Sequence, residues 1–96
     1  MKKKYESMLI IHSASDEDVA KTIETVKQFI MDKDGEIIEV KEWGKRKFAY
    51  EINHIDEGYY FILYFKLDAT HIYSLEKLYK LNENIIRFIV IKRDKE

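Results

Sequence analysis

From Tyr59 to Leu67 the chain is almost wholly apolar and aromatic: Tyr59-Tyr60-Phe61-Ile62-Leu63-Tyr64-Phe65, then Lys66 and Leu67. A run this short and this rich in β-formers suits a strand covered on both faces, in the centre of a sheet. The rest of the chain must then supply a strand on each side of it and a layer to cover it.

The pattern supplies both. Tyr5 to His12 reads as a second short buried strand, broken by Ser13-Ala14-Ser15. Ser15 then offers an N-cap hydroxyl, with Asp16, Glu17 and Asp18 complementing the helix dipole behind it. Val19, Ile23, Val26 and Ile30, widened by Ala20 and Phe29, form the apolar stripe of a helix that buries one face. Lys33-Asp34-Gly35 closes it, with Gly35 expected in the left-handed conformation.

Glu36 to Ile52 reads as one long strand in which Ile38 and Val40 alternate with charges, and Phe48, Tyr50 and Ile52 alternate beyond Gly44. The two halves keep the same parity across Gly44, but Glu42, Gly44 and Arg46 then fall on the apolar side, so a bulge or bend is expected near Gly44. Asn53 to Gly58 is the connection to the central strand, with Gly58 available for positive φ. Asp68 and Thr70 are candidate caps for a second helix with the stripe Ile72, Leu75, Leu78 and Leu81, ended by Asn82-Glu83-Asn84. Ile85 to Lys92 is the last strand, and both Lys2-Lys3-Lys4 and Lys92-Arg93-Asp94-Lys95-Glu96 read as polar termini that fray.

The order strand, helix, strand, strand, helix, strand is that of the α+β ferredoxin-like arrangement: a four-stranded antiparallel sheet with two helices on one face. Ninety-six residues are expected to make one domain, residues 1–96, since halves would be too small to bury a core. The opposite sheet face is left uncovered.

Seventeen Lys and Arg against eighteen Asp and Glu give a net charge of −1, so attraction to a polyanion must be local. The charges segregate: residues 16–36 carry seven acids and three lysines, whereas residues 41–47 carry four bases and one acid. The absence of cysteine removes disulfides and thiolate metal sites, and fits a reducing compartment. The apolar run Met8 to Ile11 is too short for a signal sequence, and no segment approaches the roughly 20 apolar residues of a membrane helix. A cytoplasmic location is the default expectation.

Chemistry-bearing patterns are sparse. The three histidines, His12, His54 and His71, fall at separate element boundaries without ligand spacing, and the three glycines are too scattered for a phosphate-cradling motif. An acylphosphatase-like use of this topology would need an arginine in the loop after the first strand, where His12-Ser13-Ala14-Ser15 has none. No catalytic residue, metal or cofactor is expected. Lys45-Arg46-Lys47 can be read as solvated charges that keep a strand edge from pairing, or as cations that meet a partner beside Trp43, Phe48 and Tyr50. Gly58 to Phe65 is also similar to the base-stacking strand of an RNA-recognition motif, although Glu57 stands where that motif has a base.

Several ordered motifs at matching separations carry a more specific likeness. Tyr5-Glu6, Trp43-Gly44-Lys45-Arg46-Lys47-Phe48-Ala49-Tyr50, Glu57-Gly58-Tyr59-Tyr60, Phe65 and Ile85-Ile86-Arg87-Phe88 together resemble the ribosomal protein S6 family of the bacterial small subunit. Glu51 departs from the proline usual after Ala-Tyr, and a proline common after the first strand is absent. The resemblance implies a non-enzymatic protein on the platform of the small ribosomal subunit, monomeric when free. It also implies a heterodimer with ribosomal protein S18 that binds small-subunit ribosomal RNA jointly. The partner-facing residues it implies are Lys41, Glu42, Trp43, Arg46 and Lys47, on the second strand. The cations expected to meet RNA phosphates are Lys2, Lys3, Lys45, Arg87, Lys92 and Arg93. Two other readings stay open from sequence: a free-standing single-strand RNA binder of RNA-recognition-motif type, and a small-molecule-sensing regulatory domain of the same topology.

Overall fold

The structure is a computed structural model that describes residues 2–12, 15–52 and 54–93. Its elements are β1 (Lys2–Ile11), α1 (Asp16–Asp32), β2 (Glu36–Ile52), β3 (Ile55–Asp68), a 3-10 turn (Ala69–His71), α2 (Ile72–Leu81) and β4 (Ile85–Lys92). The strands form one antiparallel sheet in the order β2-β3-β1-β4, so the aromatic run of β3 is central and β2 and β4 are the edges. This is the ferredoxin-like arrangement that the element order predicts.

Alternation along the two central strands decides where the core lies. Tyr5, Leu9 and Ile11 of β1 and Phe61, Leu63, Phe65 and Leu67 of β3 point to one side, where Val19, Ile23, Val26 and Ile30 of α1 and Leu75 and Tyr79 of α2 close over them. Adding a methyl-sized group to buried surface contributes about 0.8 kcal/mol, so this one-sided layer is where most stabilisation resides. Within it, the Tyr79 hydroxyl donates to Ser7 Oγ at 3.0 Å, and both residues are buried. The second polar tie joins the helix layer to the strand ends: Asn84 Nδ2 donates to Thr22 Oγ1 at 3.1 Å, and Thr22 in turn donates to the Asp18 carbonyl.

Helix α1 begins as expected, with Ser15 Oγ accepting from the N–H groups of Glu17 and Asp18. Its C-terminus differs from expectation. Asp34, not Gly35, takes the left-handed conformation (φ 62°), which aspartate tolerates better than most residues. The Asp34 N–H donates to Met31 O at 3.0 Å and the Gly35 N–H to Ile30 O at 2.8 Å, the paired bonds of a Schellman ending. Gly35 is needed for a different reason: a Cβ there would lie 2.6 Å from Ile30 Cγ2, 2.7 Å from Ile30 O and 2.8 Å from Lys66 O. Two of those atoms are backbone and cannot turn aside. Gly35→Ala is therefore expected to lower the unfolding free energy by about 1–3 kcal/mol, read as a lower urea midpoint with an unchanged slope.

Other boundaries also shift. Lys2, Lys3 and Lys4 are not a frayed terminus: they pair with Asp68, Leu67 and Lys66 at the end of β3. Arg93 is likewise held, its N–H donating to the Lys4 carbonyl at 2.7 Å, whereas the tail beyond it lies outside the described residues. The β2–β3 turn is tighter than expected, with positive φ at His54 (66°) and not at Gly58, which is inside β3; Asn53 is outside the described residues. Gly58 is instead packed, since a Cβ would sit 2.9 Å from Ile10 Cγ2 and 3.1 Å from Phe48 Cζ. In α2 the fourth core position is Tyr79, while Leu81 is 74% exposed.

Candidate protein and RNA interface

Strand β2 carries most of the residues singled out in the sequence, and its pairing decides which way each one faces. Its register against β3 skips one residue at Ile38 and another at Trp43. Each skip is a bulge that reverses the alternation. Gly44, next to the second, has φ 87°, a conformation costly for any residue with a Cβ. The expected bulge near Gly44 is thus present, and the one at Ile38 is additional. It turns Ile38 out, half exposed, and makes Ile37 and Val40 the core-facing pair in place of Ile38 and Val40.

Residues paired across antiparallel strands share a face. Val40, Glu42, Lys45 and Lys47 pair with Leu63, Phe61, Tyr59 and Glu57, and so lie on the helix side of the sheet. Lys41 pairs with Ile62 and Arg46 with Gly58, on the open side. Trp43 occupies the bulge itself, half exposed. The five expected partner-facing residues are therefore divided between two faces.

The open side is more apolar than the sequence reading anticipates. Met8 of β1 lies between Ile62 of β3 and Ile89 of β4, Ile10 lies between Tyr60 and Arg87, and Glu6 between Tyr64 and Ile91. Ile89 and Ile91 are about half exposed, at 52% and 46%. Ile62, at the middle of this face, is buried by its neighbours, so the exposed aliphatic surface lies toward edge strand β4, and cations stand at the margins of the face: Lys41, with its ammonium 5.5 Å from the Tyr64 ring centroid, Arg46 and Arg87. Phe48 meets the edge of Tyr60 at 6.3 Å. Phe48 and Lys41 thus pack against the two central tyrosines of this face, which weakens the base-stacking reading.

The signal for this face was present in β4. Phe88 and Val90 face the core while Arg87, Ile89 and Ile91 face out, and a strand solvated on one side would alternate with polar residues there.

The expected RNA-facing cations separate into two groups. Lys2, Lys3, Lys92 and Arg93 meet at one end of the sheet, where the start of β1 adjoins the end of β4, and Arg93 is ion-paired to Glu6. Lys45 and Arg87 lie at the other end, opposite Tyr59 and Ile10, about 25 Å away at roughly 3.3 Å per strand residue. Lys45 itself is drawn to the helix side, 3.7 Å from Glu57 and 5.5 Å above the Tyr59 ring. The Tyr59 hydroxyl donates to Asp16 at 2.8 Å, and that bond to a carboxylate, with partial burial, raises its pKa against the opposing effect of Lys45. His12 Nδ1 lies 3.2 Å from the Glu57 carbonyl, and no group of three His, Asp or Glu arranged for a metal occurs among the described residues. No helix among them is long and apolar enough to cross a membrane.

The family model for ribosomal protein S6 matches residues 4–92. The chain belongs to the ribosomal protein S6 family. It is 40% identical over 96 residues to the small ribosomal subunit protein bS6 of Carboxydothermus hydrogenoformans, covering 99% of this chain and 100% of that one. It is also similar to the crystal structure of 30S ribosomal protein S6 from Thermotoga maritima, at 37% identity and a TM-score of 0.86, covering 97% of this chain and 89% of that one. Within the S6 family frame, the charges and bulges of β2 and the apolar open face are surface features on a shared scaffold.

Proposed function

We propose that this chain is a structural constituent of the small ribosomal subunit that binds small-subunit ribosomal RNA jointly with ribosomal protein S18, and that it performs no catalysis. Membership of a small-subunit ribosomal family puts it in the ribosome, in the cytoplasm. The observation that supports the cooperative part is the exposed pair Ile89 and Ile91 on the open face of the sheet, a face that also carries Lys41, Arg46 and Arg87, on a protein whose net charge is −1. An apolar centre with a polar, cationic rim is the anatomy of a protein interface, and exposed patches of this kind are unusual on a chain that works alone.

The division of labour follows from charge. Phosphate contacts supply most of the affinity for RNA and need local cations, which this chain has only in two separated groups. Its own contacts orient the RNA; the partner contributes further basic surface and fixes the pair's geometry. The chain is a single domain, monomeric until paired. Filter binding at moderate salt tests this: the isolated protein is expected to bind a central-domain fragment of small-subunit RNA at least tenfold more weakly than its equimolar mixture with S18. Equal affinity with and without S18 contradicts the cooperative reading and favours a free-standing RNA binder.

A further inference from the structure

Strand β4 closes one side of the sheet, with β1 along one edge and no strand along the other among the described residues. Which of its backbone groups point outward follows from one bond: the Arg93 N–H donates to the Lys4 carbonyl of β1 at 2.7 Å. Backbone groups alternate sides along a strand, so those of Arg87, Ile89 and Ile91 point to β1, and those of Phe88 and Val90 point outward. Beside them Ile89 and Ile91 stand about half exposed on the open face. Edge strands are commonly blunted by bulges, prolines or mid-strand charges, and β2 has bulges at Ile38 and Trp43 and the run Lys45-Arg46-Lys47. From Arg87 to Lys92, β4 has no bulge and no proline, and its middle is apolar throughout.

We propose that β4 pairs with β4 of a second copy of this chain, antiparallel about a two-fold axis at Ile89, joining two four-stranded sheets into one of eight strands. Register selects this occupant. With Ile89 opposite its own counterpart, Phe88 faces Val90 of the second copy and Val90 faces Phe88. These are the residues whose backbone groups point outward, so each such pair exchanges two hydrogen bonds. The two Ile89 side chains form the closer kind of pair, with Cα atoms about 4.5 Å apart, and Met8 extends the apolar row behind each. Arg87 falls opposite Ile91 of the second copy. Its stem covers that isoleucine while its head reaches toward Glu6, the β1 residue with which Ile91 pairs. Glu6 already holds Arg93, and a carboxylate accepts more than one such bond. Moving the axis to Val90 would set Arg87 against Arg93 of the second copy, and moving it to Phe88 would carry the pairing across the bulge at Ile86. A two-fold contact uses the same edge of both copies, and the edges left over are the two bulged, charged β2 strands, so the assembly stops at a dimer.

The inference goes beyond the joint binding of RNA with S18 and does not rest on it, since it is carried by the backbone and register of β4. A contact of one strand pair lies at the small end of specific interfaces, so the dilute chain is monomeric and pairing appears on concentration.

The test uses the full chain alone, by sedimentation equilibrium from micromolar to millimolar concentration and by amide hydrogen exchange at both ends of that range. The parent is expected to pass from monomer to dimer with no larger species, and the Phe88 and Val90 amides to gain protection. Ile89→Lys and Ile89→Glu, each at a half-exposed position facing Met8, are expected to keep the fold and to weaken pairing at least tenfold, because like charges then meet on the axis. An equimolar mixture of the two variants is expected to pair again, since a lysine then faces a glutamate. Ile38→Lys, half exposed on β2, is expected to pair as the parent does. The assignment is overturned by a parent that stays monomeric at millimolar concentration, or by association that Ile38→Lys weakens and Ile89→Lys does not. It is equally overturned by protection gained on β2 in place of β4, or by a mixture that stays as monomeric as its components.

Discussion

Tyr79→Ala is expected to lower the unfolding free energy by about 3–5 kcal/mol, the largest effect of any single substitution considered for this fold. The side chain is fully buried on α2, its ring 5.2 Å from that of Phe88, and its hydroxyl donates to Ser7 in the middle of β1. Removing it opens a cavity between the helix and the two strands and leaves a buried serine hydroxyl without its partner. A domain of this size has only about 5–15 kcal/mol of net stability, so the loss is a large share of the whole.

Tyr79→Phe separates the two causes. It keeps the ring and removes the bond, for an expected loss of about 1–3 kcal/mol from the orphaned Ser7 hydroxyl, and adding Ser7→Ala is expected to recover part of that. The pH dependence gives a second check. Burial, the main cause, pushes the Tyr79 pKa well above its ordinary value near 10, against the smaller opposing effect of the Ser7 bond. Below pH 10 the phenol is neutral in both states and contributes no slope. Above it the unfolded chain loses the proton while the folded one keeps it, so stability falls as pH rises. Urea unfolding at pH 8 and pH 11 is expected to show a steeper decline for the parent than for Tyr79→Phe. Parallel declines mean that this hydroxyl is not held neutral by the fold.

What could be read from the sequence was local, and what could not was set by pairing between distant segments. Ser15 announces its helix because the cap, the acidic first turn and the stripe all lie within one stretch of chain. The end of that helix misled because Gly35 looks like a left-handed terminus, yet its importance comes from Lys66, 31 positions later, whose carbonyl leaves no room for a Cβ. The stripe of α2 drifted for a local reason: Ile72, Leu75, Leu78 and Leu81 recur every three residues while the helix turns about every 3.6. Burial therefore settles on Tyr79, and Leu81 runs off the buried face. Lys2-Lys3-Lys4 has no apolar signal at all; only the length of β3 gives those residues a strand to pair with.

The candidate site shows the same limit. Strand membership was legible: Lys41, Glu42, Trp43, Arg46 and Lys47 lie on one exposed strand. Direction was not, because two bulges, each set by pairing with β3, decide which side of the sheet every one of them faces. Two pairs make the point. Lys41 and Glu42 are neighbours in sequence but face opposite layers, and Met8 and Ile89 are 81 positions apart but lie side by side.

That last contact is where joint binding with S18 can be tested most sharply. Combining Ile89→Glu with Ile91→Lys is expected to weaken pairing with S18 at least 30-fold, the effect of losing about 2 kcal/mol at the centre of an interface. The net charge is unchanged, so general attraction to RNA is preserved. Ile91 pairs with Glu6, where a lysine meets an opposite charge, and Ile89 pairs with Met8, where a glutamate meets no like charge. Both isoleucines are already about half exposed, so the free protein is expected to keep its fold with a stability change within about 1 kcal/mol. In the complex the same glutamate would have to be buried against the partner without a counter-charge, which is far more costly than its place on the free surface. Arg46→Glu provides the contrast. As an exposed rim charge it is expected to slow association and alter the salt dependence more than it changes the rate of dissociation. Surface binding of S18 to each variant, with both rates measured, distinguishes the two contributions. A double isoleucine variant that holds S18 as tightly as the parent would move the interface off the open face and onto the outer edge of β2.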